Sequence, residues 1–222
     1  MALNDLLAHL KQTAALSQAA GVLSWDQEAM MPAKGAAQRA EQVGAMAAVI
    51  HARNADPRFA ELIAAAEPQT DMDRRNLAEA QRAYDQATRI PARLAEESAK
   101  AASEGHMIWA KARAEKDFAS FAPALARNIE LKREEAACLA DGDPYDALLD
   151  QFEPGAKAVD LSPLLESMRP RLTALREKIA EKPAPDALGG NYPHGKQMAL
   201  ARRTAKRIGY DMEAGRIDTV TH

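Results

Sequence analysis

The chain has 222 residues, 47% hydrophobic, 27% charged and only 5% aromatic, with a formal net charge of -3. That length supports one large domain or two small ones with a real core, and the slightly acidic balance offers no basic field for nucleic acid. No run of about 18 apolar residues exists to span a membrane. The single cysteine, Cys138, excludes an internal disulfide framework. Met1-Ala2-Leu3-Asn4-Asp5 lacks the basic flank and apolar stretch of a signal peptide, so a cytoplasmic location is expected. Frequent Ala, with Leu, Glu, Gln, Arg and Lys, favours a mainly helical protein.

In chain order, Asn4 is a candidate N-cap for a helix carrying Leu6, Leu7 and Leu10, with Gly21 ending it. Leu23 to Lys34 breaks the period, contains Pro32 and reads as a loop. Ala36, Ala40, Val43, Ala47 and Ile50 then recur on one helical face. Asp56-Pro57 pairs an N-cap with a first-turn proline, and Phe59, Leu62 and Ile63 follow on a short helix. Thr70 opens a helix with Leu77, Ala80, Tyr84 and Ala87 inward. Pro91 starts the next, whose small residues let a neighbouring helix approach closely. Pro123 starts another, running to about Leu139.

Asp141-Gly142-Asp143-Pro144 is a strong turn signal, followed by a short helix from Tyr145 to Asp150. Ser162-Pro163 starts a helix carrying Leu165, Met168, Leu172, Leu175 and Ile179, with a kink expected at Pro170. Residues 182–193 hold Pro183, Pro185, Gly189 and Gly190 and form the linker candidate. The expected organisation is a helical region over 1–181, a linker or loop over 182–193, and a helix with the start of a further region over 194–222. Gly215 followed by Arg216-Ile217-Asp218-Thr219-Val220-Thr221-His222 reads as a turn and the beginning of a strand.

Several chemistries are missing from the pattern. His9, His51, His106, His194 and His222 include no pair at i and i+4, the spacing by which two imidazoles reach one zinc ion from one helix face. No Glu stands three residues before a His, as a di-iron bundle needs. Gly190 to Lys196 has phosphate-loop spacing, but Gln197 replaces the magnesium-binding hydroxyl and no strand precedes it. Cys138 lies on a helical stripe and reads as packing.

Two segments carry candidate chemistry. Ser24-Trp25-Asp26-Gln27-Glu28 places an indole and two carboxylates together; they either line a cleft or anchor and cap a loop. Trp109, Arg113 and Asp117 share a helical face, which reads as an aromatic cluster with an Arg113–Asp117 ion pair. The acidic groups Asp146, Asp150 and Glu153 match no calcium loop and read as helix caps.

Leu23-Ser24-Trp25-Asp26-Gln27-Glu28, Met31-Pro32 and Arg39-Ala40-Glu41-Gln42 resemble the start of the thermostable carboxypeptidase Taq family of metallocarboxypeptidases, peptidase family M32. The likeness continues through Ile90-Pro91, Trp109 to Pro123, and Pro144-Tyr145-Asp146-Ala147-Leu148-Leu149-Asp150 with Glu153-Pro154-Gly155. It ends with Gly209-Tyr210-Asp211 and Gly215-Arg216-Ile217-Asp218. The resemblance implies a mostly helical zincin-like fold with a deep groove, usually a homodimer, that releases C-terminal amino acids from peptides. It also implies a zinc or cobalt ion held by an HEXXH helix and a later Glu, with the Glu of HEXXH as general base.

HEXXH is absent here, and His222 matches only the first residue of the family's preceding His-Pro-Phe motif. No catalytic or metal residue is therefore assigned, and no metal is expected on this chain. His222, Trp25, Asp26 and Glu28 are candidates for the substrate groove. The expected reading is the N-terminal part of such an enzyme, inactive alone. The rivals are a non-catalytic helical peptide- or protein-binding module, and an unrelated helical enzyme built on Trp25, Asp26 and Glu28.

Overall fold

The structure is a computed structural model that describes residues 2–186 and 189–220. Its described residues form nine α-helices, one short 3-10 turn and no strand. They fall into two compact units, one ending at Ala156 and one running from Lys157 to Val220.

The first unit holds α1 (Ala2–Ala29), a 3-10 turn (Ala33–Gly35), α2 (Ala36–Asn54), α3 (Pro57–Ala65), α4 (Asp71–Arg89), α5 (Ala92–Glu115), α6 (Phe118–Leu139) and α7 (Pro144–Leu149). Local signals account for many of these limits. The Asp56 carboxylate accepts the Arg58 amide at 2.9 Å, ahead of Pro57 in the first turn of α3. Thr70 and Asp73 close a reciprocal capping box at the start of α4. Lys116, the one non-glycine residue with positive φ among those described, ends α5 in the left-handed conformation at φ 55°.

The core follows from the apolar periodicity. Leu6, Phe59, Ile63, Ala66 and Ala80 cluster where α1, α3 and α4 meet, with Leu3, Leu10, Leu62, Leu77 and Tyr84 packed around them. Tyr84 meets Phe59 edge-on, with ring centroids 6.2 Å apart. Ala40 and Gly44 of α2 face α5, where a Cβ at Gly44 would lie 3.5 Å from Glu96 Cγ. Ser103, Gly105 and Ala112 keep α5 slim at its buried positions, as the small-residue stripe predicts. Leu94 and Leu131 are fully buried on α5 and α6.

Three local expectations fail. The segment from Leu23 to Ala29 is not a loop: α1 runs through Gly21 to Ala29, and Trp25, Asp26 and Glu28 are helical. A helical glycine costs about 1 kcal/mol relative to Ala, which tertiary packing outweighs, and Gln27, nearly two turns on, is buried. The true stop is Pro32, which disfavours helical conformation in the residue before it; the amides of Met30 and Met31 both fold back to the Asp26 carbonyl. Pro123 does not start α6, which begins five residues earlier behind the Asp117 cap. The helix assigned to Ser162-Pro163 begins at Ala158.

The second unit contains α8 (Ala158–Ala180), α9 (His194–Arg207) and a tail. α8 is one helix through both Pro163 and Pro170. The described tail residues 216–220 form no strand, contrary to the expectation for this end of the chain. A strand needs a neighbouring ladder for its backbone groups. Here Arg216 grips Asp218 through two hydrogen bonds of 2.7 Å, and the Tyr210 hydroxyl donates to the Arg216 carbonyl.

Candidate functional site

Because Trp25, Asp26 and Glu28 lie in the last turns of α1, their directions are set by the helical period. Trp25 and Glu28 are three residues apart and share a face, while Asp26 is turned away from it. Asp26 faces α2. Its Oδ2 accepts from Arg39 Nη2 at 2.5 Å, and Arg39 also donates to the Leu23 carbonyl and, through Nε, to Gln42 at 3.1 Å. The Arg39 side chain is only 11% exposed. This carboxylate therefore joins the end of α1 to α2. The Glu28 side chain is exposed and Trp25 half-buried. His222, the fourth groove candidate, lies outside the described residues.

Between the two carboxylates, Gln27 makes the contact that the sequence did not announce. Its Nε2 donates to the Ser103 carbonyl at 3.0 Å, and the Ser103 hydroxyl donates back to Gln27 Oε1 at 2.6 Å. Both residues are buried, so the pair satisfies two polar side chains and fixes α1 against the middle of α5. A glutamine beside two carboxylates gives no signal of its own. Only the packing of α1 on α5 identifies it.

A second cluster lies between α5 and α6. Ala102, Gly105, His106, Trp109, Phe121, Leu125 and Asn128 line a cleft of about 290 Å3. His106 stacks on Trp109 with ring centroids 5.6 Å apart, and the Arg113 guanidinium carbon stands 5.6 Å from the indole centroid. The expected Arg113–Asp117 ion pair does not form. The left-handed turn at Lys116 carries Asp117 off the α5 face, and its carboxylate caps α6 at the Ser120 amide instead. Asn128 seals the cleft floor by donating to the carbonyls of Ala101 and Ala124.

A groove of about 800 Å3 in the first unit includes His9, Val49, Arg53, Asp56, Arg58 and Leu62 in its lining. His9 stacks on Phe59 at 4.6 Å, and Arg53 bridges to the Thr13 hydroxyl and the His9 carbonyl. Burial, and then the Arg53 guanidinium, hold the His9 imidazole below its ordinary pKa. Hydrogen bonds from Arg58 hold Asp56 down at about 2.

Two of the acidic residues after α6, Asp143 and Asp150, are structural in this geometry. Asp143 caps α7 at the Tyr145 amide. Asp150 pairs with Arg82 at 2.7 Å and accepts the Gly155 amide at 2.8 Å. Gly155 has φ +83°, a backbone that a side chain would strain, so the family-like Glu153-Pro154-Gly155 turn needs its glycine. Buried Glu135 is satisfied by Lys132 and Gln151 at 2.6 and 2.7 Å.

No group of three His, Cys, Asp or Glu side chains converges among the described residues as a metal site would require. His9, His51 and His106 sit on three different helices. The donors among the described residues do not fit a catalytic zinc or cobalt ion. No helix of the described residues is long and apolar enough to cross a membrane.

Comparison with known proteins places this geometry. The family model for carboxypeptidase Taq (M32) metallopeptidase matches residues 5–222. Thermostable carboxypeptidase 1 of Thermus thermophilus is 37% identical, with all of this chain aligned to 47% of that protein. Carboxypeptidase 1 of Bacillus subtilis is 28% identical over 96% of this chain and 44% of its own length. Among solved structures, the BsuCP crystal structure superposes with a TM-score of 0.93 at 26% identity. The M32 carboxypeptidase of Deinococcus radiodurans gives 0.79 at 27%. Each superposition covers all of this chain and 46% of the solved chain. The chain thus spans about half the length of the relatives it matches, and it belongs to the carboxypeptidase Taq (M32) metallopeptidase family.

Proposed function

We propose that this chain supplies the N-terminal helical part of a metal-dependent carboxypeptidase that releases C-terminal amino acids from peptides, and that alone it is inactive. The observation that carries this reading is the family match over residues 5–222 combined with alignment to less than half of the relatives' length. The sequence holds no HEXXH, so the metal ligands and the general base belong to residues other than these. In the complete enzyme the metal, zinc or cobalt, polarises the scissile carbonyl and activates water. The enzyme acts as a cytoplasmic homodimer.

In this reading the present residues form one wall of the groove. Trp25 and Glu28 share a face of α1 and are its lining candidates, with His222 at the far end of the chain. Asp26 positions that face through Arg39 rather than touching substrate. The test is to incubate the chain with zinc or cobalt and an N-blocked dipeptide. No stoichiometric metal and no released amino acid are expected, and metal-dependent release would overturn the inactivity.

A further inference from the structure

Six apolar residues of α8 follow a stricter period than a globular core requires, with Val159 and Leu164 outside it. Leu161, Leu165, Met168, Leu172, Leu175 and Ile179 are spaced 4, 3, 4, 3 and 4 residues apart. This is the a/d repeat of a coiled-coil seam, in which one helix packs along another. With Leu165 at position a, the a positions are Leu165, Leu172 and Ile179, and the d positions are Leu161, Met168 and Leu175. A seam of this kind is built to be covered, yet Leu165, Met168, Leu172, Leu175 and Ile179 are 46–64% exposed.

The rest of the helix conforms to the same frame. Pro170 and Pro163 both fall at f, the position farthest from a partner helix, where a missing amide leaves the seam untouched. The acidic residues Asp160, Glu166 and Glu177 fall at c, b and f, on the outer face. Flanking the seam, the last four e and g positions are Arg169, Arg171, Arg176 and Lys178, all cationic. Arg169 pairs with Glu166 on its own helix, while no ion pair engages Arg171, Arg176 or Lys178 among the described residues.

These flanks decide what can cover the seam. Residues at e and g meet those of the partner helix across the interface and set partner choice. In a second copy, cations would meet cations in either orientation, which is repulsive. A helix with acidic e and g positions would be attracted. The relatives have about as many residues again outside the aligned stretch, which leaves ample length for such a helix.

We propose that α8 is the docking face for one helix from the part of the family's longer chains outside the stretch matched here. That helix carries an apolar heptad seam flanked by Asp and Glu. This rests on the reading of the chain as part of a longer carboxypeptidase, but the charge rule is tested independently of that reading.

The test uses the chain as it stands and isothermal titration against peptides. Two designed 28-residue helices with Leu at a and d carry either Glu or Lys at every e and g position. Overlapping peptides of the same length cover the unmatched stretch of the Thermus thermophilus relative. The acidic design is expected to bind at least tenfold more tightly than the basic one and to weaken as salt rises. One peptide of the relative, with an acid-flanked heptad seam, is expected to bind through the same face.

Leu172→Glu should abolish both interactions. The reversal Arg169→Glu, Arg171→Glu, Arg176→Glu and Lys178→Glu should transfer preference to the basic design, with helix content checked by circular dichroism. Equal binding of the two designs would overturn the charge rule. So would a homodimer that Leu172→Glu dissociates. Binding of the acidic design with no binding by any peptide of the relative would overturn the assigned occupant. Failure of the reading that this chain is only an inactive part of a carboxypeptidase would appear separately, as metal-dependent release of amino acids by this chain alone.

Discussion

The two units of this chain solve the same problem to different degrees. Both are built from amphipathic helices. In the first, the apolar faces of α1 to α6 close on one another, and Phe59, Leu6, Leu94 and Leu131 are fully buried. In the second, the two helices leave large side chains open to solvent, including Leu165, Leu172, Leu175, Ile179 and Leu200. Amphipathicity is thus present in both, but burial, which supplies the stabilisation, is concentrated in one. Substitutions of the same kind should therefore cost far more in the first unit than in the second, and the following measurements sharpen that contrast.

The largest effect is expected at Phe59. Its ring is fully buried between His9 and Tyr84, and Phe59→Ala should cost about 3–5 kcal/mol in urea unfolding of the first unit. Next is Gln27→Ala, which leaves the buried Ser103 hydroxyl without its acceptor and should cost about 1–3 kcal/mol. If the cost is negligible, the bond between α1 and α5 is not what holds the end of α1. Thr70→Ala removes the side-chain half of the capping box and should cost about 1 kcal/mol, seen as fraying at the start of α4 in amide exchange.

A smaller effect is expected from pH. The folded His9 imidazole sits below its ordinary 6.5, so between its folded and unfolded pKa values the unfolded chain binds more protons. Stability should therefore fall as pH drops below about 6.5, and His9→Gln should flatten that slope. A further loss should follow as pH falls from 3.8 toward 2, where Asp56 differs between states. The groups facing His9 are Arg53, Asp56 and Arg58. The smallest effect is expected at Leu172→Ala: it is 56% exposed and buries little, so the unfolding energy should change by less than about 0.5 kcal/mol. A large loss there would mean that the seam of α8 is already covered and would erase the contrast between the units.

Much of the first unit is legible in local chemistry. Asp56-Pro57 and Thr70 mark helix starts because their side chains satisfy amides that no helical carbonyl can reach. The inward face of α4 is readable from spacing, and Ala80 and Ala87 are buried as that face predicts. The end of α1 is not readable in this way. Gly21 and the broken apolar period after it resemble a stop, and only the contact of Gln27 with Ser103, 76 residues away, shows why the helix continues. The Arg113–Asp117 pair fails for a related reason. Helical spacing predicts it, but a single left-handed residue at Lys116 separates the two side chains.

The candidate site divides along the same line. The residue types of Trp25, Asp26 and Glu28 are visible in the sequence, as is their likeness to a carboxypeptidase family. Which carboxylate faces a neighbouring helix and which faces solvent is not visible. That depends on the helical phase at the end of α1 and on the position of Arg39, 13 residues later. Asp150 makes the same point, since its ties to Arg82 and Gly155 turn an apparent acidic cluster into a brace.

By itself, then, the sequence determined the helical class, the family and the absence of an HEXXH metal site from these residues, because composition, periodicity and ordered motifs are properties of the chain alone. Only the tertiary structure decided where α1 ends, which carboxylates are held by arginine, and which apolar faces are closed. Those depend on groups far apart in sequence meeting in space, where burial and hydrogen bonding outweigh a local cost of about 1 kcal/mol.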